Sequence, residues 1–137
     1  MNDIVRVGRV SSIDYVAGTI SVYYEDKTAS VTSHFATLSN EEYHMPKIGD
    51  MVVVIHLSNG TSQGIVLGTI WNEGNKPTKS GESLFYKTLT NQCSIFSDSA
   101  DIILTTKNGT LSVNEIIKLK SEIEDIKQRV KILEAKK

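Results

Sequence analysis

SVNEIIKLKSEIEDIKQRVKILEAKK, residues 112–137, carries two interleaved seven-residue repeats. Ile116, Ile123 and Val130 form the first, and Leu119, Ile126 and Leu133, each three residues later, form the second. This is an a/d heptad pattern, narrower than the apolar stripe of a helix that packs on its own domain. The start is marked as well. Ser112-Val113-Asn114-Glu115 reads as a capping box, with Leu111 and Ile116 at the two ends of a hydrophobic staple. A helix of about 24 residues is predicted here, roughly 36 Å long.

The flanking charges indicate the partner. With Ile116 at a, the g positions are Glu115, Glu122 and Arg129, and the following e positions are Lys120, Lys127 and Glu134. In a parallel assembly of identical helices each g residue faces the e residue five places on in its neighbour. The pairs Glu115–Lys120, Glu122–Lys127 and Arg129–Glu134 are all of opposite sign. Each is worth about a few tenths of a kcal/mol, so together they select orientation more than they stabilise. The spacing therefore predicts parallel self-association. The heptads alone leave the number of chains open. β-Branched a residues with Leu at d favour two strands, whereas the Ile123/Ile126 layer favours three. Arg129-Val130-Lys131-Ile132-Leu133-Glu134 resembles the Arg-apolar-x-x-apolar-Glu pattern of parallel trimeric coiled coils.

Outside this segment, the 137 residues leave room for one ordinary domain and an appendage. A formal charge of −1 and a pI near 6.3 give no electrostatic footprint for nucleic acid. A lone cysteine, Cys93, supports no internal disulfide framework. Residues 1–6 lack a basic n-region followed by a long apolar run, so synthesis in a cytoplasm without a signal peptide is expected.

Residues 4–35 read as a β-meander: a β-rich run over 4–13 with Gly8 as its bend, a turn at Ala17-Gly18, an alternating strand over 19–24, a charged turn at Glu25-Asp26-Lys27, and a third strand over 28–35. Residues 37–47 read as a loop containing Pro46. Met51-Val52-Val53-Val54-Ile55-His56-Leu57 is a strand run, Asn59-Gly60 a hairpin turn, and residues 63–71 the returning strand, with Gly64 and Gly68 as barrel bends. Five strands without a helix predict a small β-barrel over residues 1–76. Residues 72–81, rich in Gly, Pro, Asn and Lys, mark a boundary. Residues 83–89, 93–96 and 101–106 are strand candidates, and Asn108-Gly109 is a second tight turn into Thr110-Leu111. This module, residues 77–111, is too small to bury a core alone, so a short β-stem whose core is shared between copies is predicted. The third segment is the helix, 112–137.

The ordered set Val7-Gly8-Arg9-Val10-Ser11-Ser12-Ile13-Asp14, Gly18-Thr19-Ile20-Ser21-Val22, Met45-Pro46-Lys47-Ile48-Gly49-Asp50-Met51-Val52-Val53-Val54, Asn59-Gly60, Gly64-Ile65-Val66-Leu67-Gly68 and Asn75-Lys76-Pro77 resembles the bacteriophage baseplate assembly protein V family, the central spikes of contractile tails. The resemblance covers roughly residues 5–77. It implies an OB-fold barrel, an intertwined trimeric β-prism as stem, and a homotrimer on the tail axis of a virion or phage-tail-like particle. Its expected partners are baseplate hub and tail-tube proteins, and its expected roles are baseplate assembly and penetration of the host envelope. The chain departs from better-known members. Its stem is short, it has no His-x-His pair for tip iron, it has no inserted lysozyme domain, and an axial helix stands where a long tip would be. Such a spike suits a cell without an outer membrane, or a separate tip protein as cap.

No catalytic set emerges, and no enzyme activity, cofactor, metal or small-molecule substrate is expected. His34, His44 and His56 are scattered, and no Cys/His spacing fits zinc. Asp98 and Asp101 read as a solvated turn. Tyr15, Tyr23, Tyr24 and Tyr43 could line the aromatic face of an OB-type nucleic-acid or oligosaccharide binder, the competing reading, but no Lys/Arg cluster accompanies them.

Overall fold

Val5–Asp14 is a single strand, β1, bent once. It opens the computed structural model, which describes residues 4–26, 29–57 and 63–137. The described residues fall into two units, Met1–Pro77 and Thr78–Lys137.

In the first unit β1 is followed by β2 (Thr19–Tyr24), β3 (Ser30–Val31), β4 (Phe35–Thr37), β5 (Met51–His56) and β6 (Gly64–Thr69). The strands run β1-β5-β6-β4-β2, and β2 returns to β1, closing a five-stranded OB-like barrel. All neighbours are antiparallel except β4 and β6, where Ala36 faces Ile65 in parallel. Alternation supplies the core. Val10, Ile20, Val22, Tyr24, Phe35, Val52, Val54 and Val66 are buried and pack together, with Ile13 and Met45 against them.

Closure depends on two bulges. β1 bends between Val10, opposite Val22, and Ser12, opposite Ser21, which leaves Ser11 as the extra residue. β6 bends at Leu67, between Val66 opposite Val54 and Gly68 opposite Val53, and Gly68 there has φ +144°. Gly68 thus bends the barrel as expected, whereas Gly8 does not. A Cβ on Gly8 would lie 2.5 Å from Val22 Cγ1 and 2.7 Å from the Tyr23 carbonyl oxygen, so Gly8 is a site of close approach between β1 and β2.

The third strand predicted over 28–35 is instead two. β3 pairs with Tyr23 and Tyr24, and β4 with Thr19 and Ile20, so both lie along the same side of β2. Between them Thr32 occupies the rung: its N–H donates to Val22 O at 2.9 Å, and its hydroxyl accepts from Val22 N–H at 2.9 Å. A side chain takes one backbone position, and the ladder breaks there. Lys27 and the Asn59-Gly60 turn lie outside the described residues.

The second unit is a meander, β7 (Phe85–Thr90), β8 (Cys93–Ser97), β9 (Ile102–Thr106) and β10 (Gly109–Ser112), followed by the helix α1 (Val113–Ala135). Its four strands pair antiparallel in the order β10-β9-β8-β7. The second tight turn sits one residue earlier than expected. Lys107 and Asn108 make it, and Gly109, at φ +146°, already opens β10 opposite Thr106. α1 is about 35 Å long at 1.5 Å per residue.

Candidate functional site

β10 feeds α1 without a linker, and hydrogen bonds fix the junction. Ser112 Oγ accepts from Glu115 N–H at 3.1 Å, and the Glu115 carboxylate accepts from Ser112 N–H at 2.8 Å, completing the capping box. Asp101, just before β9, accepts from Ile102 N–H at 2.8 Å and from Asn114 N–H at 3.1 Å. Asn114 Nδ2 donates to Ala100 O at 3.3 Å. Burial pushes the Asp101 carboxyl up. Hydrogen bonds from the Ser112 hydroxyl and the Asn114, Ile102 and Val113 amides outweigh that and hold it below the usual carboxylate range. A negative group at the first turn also suits the helix dipole.

Beyond this junction α1 has no buried residue. Ile116, Leu119, Ile123, Ile126, Val130 and Leu133 are each between 45% and 63% exposed. Ile117 and Ile132 are exposed off the seam. An isolated helix of this length is marginal in water, and most helical stability in proteins comes from packing an apolar face. Among the described residues of its own unit, none buries this one beyond the junction. The flanking charges are engaged weakly: Lys118 pairs with Glu122 at 4.0 Å, and Lys127 with Glu124 at 3.6 Å, both in the open. Such pairs exchange for inter-chain ones at little cost. Glu115 differs, because its carboxylate already holds Ser112 N–H, so the Glu115–Lys120 pair competes with the cap.

The sheet carries a second bare surface, which the sequence alone did not single out. Directly opposed residues share a face. One rung runs Leu111, Leu104, Ile95 and Lys87, and the next runs Ile102, Ser97 and Phe85. On this face Phe85, Ile102, Leu104 and Leu111 are all exposed. The other face carries Tyr86, Phe96 and Ile103, which are half-buried, and Lys79 Nζ sits 4.4 Å from the Phe96 ring centroid. No residue of β7–β10 is fully buried. The strand order that lines up Leu111, Leu104 and Ile95 requires pairing across three strands, which local periodicity does not reveal.

Most of the polar side chains singled out in the barrel are held by structural contacts. His56 is buried; its Nε2 lies 2.8 Å from Tyr24 Oη, and its Nδ1 has no hydrogen-bond partner among the described residues. Phe35 meets the His56 ring edge-on at 5.6 Å between centroids. The Arg6 guanidinium covers the Tyr24 ring at 3.7 Å and pairs with Asp26. Burial pushes the Tyr24 hydroxyl pKa up; nearby Arg6 counters this and Asp26 adds to it. His34 lies between hydroxyls, 3.1 Å from Ser12 Oγ and 3.2 Å from Thr19 Oγ1, and Ser12 is 2.6 Å from Ser21. His44 is exposed in the β4–β5 connection. The four tyrosines do not share a face: Tyr24 is buried, Tyr23 half-buried, and Tyr43 donates to Tyr15 O at 3.0 Å. Asp98 and Asp101 do not act as a carboxylate pair. Asp98 accepts from the Ala100 and Asp101 amides at 3.1 and 3.2 Å. Among the described residues no three His, Cys, Asp or Glu side chains group to hold a metal, and no helix is long and apolar enough to cross a membrane.

No protein-family model matches the chain, and none of the curated proteins is significantly similar to it.

Proposed function

We propose that the chain is a structural protein that acts as a parallel homotrimer: the central spike of a contractile phage tail or phage-tail-like particle, at work in baseplate assembly and envelope penetration. The observation that carries this reading is the uncovered a/d seam of α1, six apolar side chains in line on a helix with no buried residue. Three copies bring those seams together. The bare face of β7–β10, continuous in sequence with α1 through Leu111 and Ser112, then forms one side of a short three-sided prism whose interior is shared. That arrangement supplies the core which about 30 residues cannot bury alone. The Ile123/Ile126 layer and the Arg129–Glu134 pattern favour three chains over two.

The spike assignment rests on the ordered motifs over residues 5–77, and the five-stranded OB-like barrel over those residues is consistent with it. In this reading the barrel meets hub and tail-tube proteins. The helix lies on the axis, as the leading element or under a separate tip protein. Immunogold labelling of particles from the source genome with an antibody against the barrel tests the assignment. Label at the baseplate end supports it, and particles assembled without the chain would refute it.

A further inference from the structure

Three hydroxyls and one imidazole meet on the outer face of β1 and β2. Ile13 and Ile20, directly opposed, belong to the inner face: Ile20 is buried and Ile13 packs against the core. The rungs on either side, Ser12 opposite Ser21 and Asp14 opposite Thr19, therefore stand on the outer face. The bulge sets this register. Ser12 follows the extra residue Ser11 directly, and a bulge re-aims the side chain beside it. His34, the last residue before β4, comes across this row. Spacing along the chain does not reveal the group, because residues 12, 19, 21 and 34 meet only across strands.

The contacts run in one direction. His34 Nδ1 lies 3.2 Å from Thr19 Oγ1, and its Nε2 lies 3.1 Å from Ser12 Oγ. In the tautomer whose Nδ1–H donates to Thr19, Nε2 is left to accept from the Ser12 hydroxyl. Ser21 Oγ, 2.6 Å from Ser12 Oγ and on a residue only 4% exposed, then donates to Ser12. Ser12 is half-buried and His34 exposed, so solvent and solutes reach the pair. The group that orients the imidazole is a hydroxyl. The Asp14 carboxylate opposite Thr19 is taken up by the β1–β2 turn, where it accepts from the Val16 and Ala17 amides at 3.0 Å. A hydroxyl within hydrogen-bond reach of a base, with the base held by a third group, is the arrangement that activates a serine.

We propose that Ser12 is a nucleophile with His34 as its general base, a surface site that takes the acyl group of small, reactive esters. As Ser12 Oγ bonds to the ester carbonyl carbon, its proton passes to His34 Nε2. The bond from that carbon to the alcohol oxygen then breaks, and the proton leaves with the alcohol. Water, deprotonated by the same nitrogen, attacks the acyl group, releases it as a carboxylic acid and restores the Ser12 hydroxyl. The open strand face fits a short acyl group such as acetyl. The activity is independent of the spike reading, and neither depends on the other.

A fluorophosphonate probe on the full chain, read by peptide mapping, tests this with Ser11 as the control inside the same folded molecule. Ser11 is exposed and adjacent. Ser12 should be labelled about 100-fold or more faster than Ser11, the size of a general-base contribution. His34→Gln should bring the two rates together, and Thr19→Val, which releases the imidazole, should lower the ratio part of the way with Ser11 labelling unchanged. p-Nitrophenyl acetate should be hydrolysed faster by the native chain than by Ser12→Ala. Labelling of Ser12 no faster than of Ser11 in the native chain overturns the proposal whatever the variants do. So does a ratio that survives in folded His34→Gln or, should that variant not fold, in Thr19→Val. Equal ester hydrolysis by the native chain and Ser12→Ala overturns the acyl transfer.

Discussion

Single residues decide this fold at points where a neighbour leaves no alternative. His56 is sealed in the barrel, and Tyr24 Oη is the only hydrogen-bond partner of its ring among the described residues. Tyr24→Phe removes that partner and leaves both ring nitrogens unsatisfied. Urea unfolding should show a loss of about 1–3 kcal/mol, the cost of an unsatisfied buried polar group; an unchanged midpoint would mean that water reaches the ring. Asp101 carries a pH dependence whose sign is fixed by its environment. Its carboxyl titrates below the usual range when folded, so its contribution is fully present above about pH 4 and is lost as the pH falls through the lower folded value. Protection of the Asn114 amide, its exchange rate measured against the unstructured rate at the same pH, should therefore fall in acid in the native chain, and Asp101→Asn should abolish that acid dependence.

Elements were legible in the sequence where periodicity or capping chemistry was local, and illegible where a partner strand set the outcome. The helix start at Ser112–Glu115 could be read directly, because the capping box lies within four residues. The break of the third strand could not, because it depends on Thr32 meeting Val22 across the sheet. Gly8 looks like a bend in the sequence for the same reason: its role is set by Val22 and Tyr23, which come next to it only after pairing. The bare sheet face likewise needed the register of four strands. On α1 itself, Ser112→Ala should cost about 0.5–2 kcal/mol of helix stability by circular dichroism. Ile123→Asp should be far more severe, since three carboxylates would share one buried layer. If that variant keeps the native mass and melting temperature, the heptad seam is not what joins the copies.

At the scale of the whole molecule, the two units divide the work. Met1–Pro77 closes its barrel around its own core, whereas Thr78–Lys137 presents a sheet with no fully buried residue and a helix with none. A chain ending at Gly109 loses α1 and most of β10. Its barrel should remain folded by circular dichroism, and its mass should be that of a single chain. The central claim is that the full chain exists as three copies. Size-exclusion chromatography with multi-angle light scattering at low micromolar concentration tests it most directly. Three copies of the 15.1 kDa chain give an expected mass of about 45 kDa, whereas a single-chain mass across the whole concentration range would contradict the account.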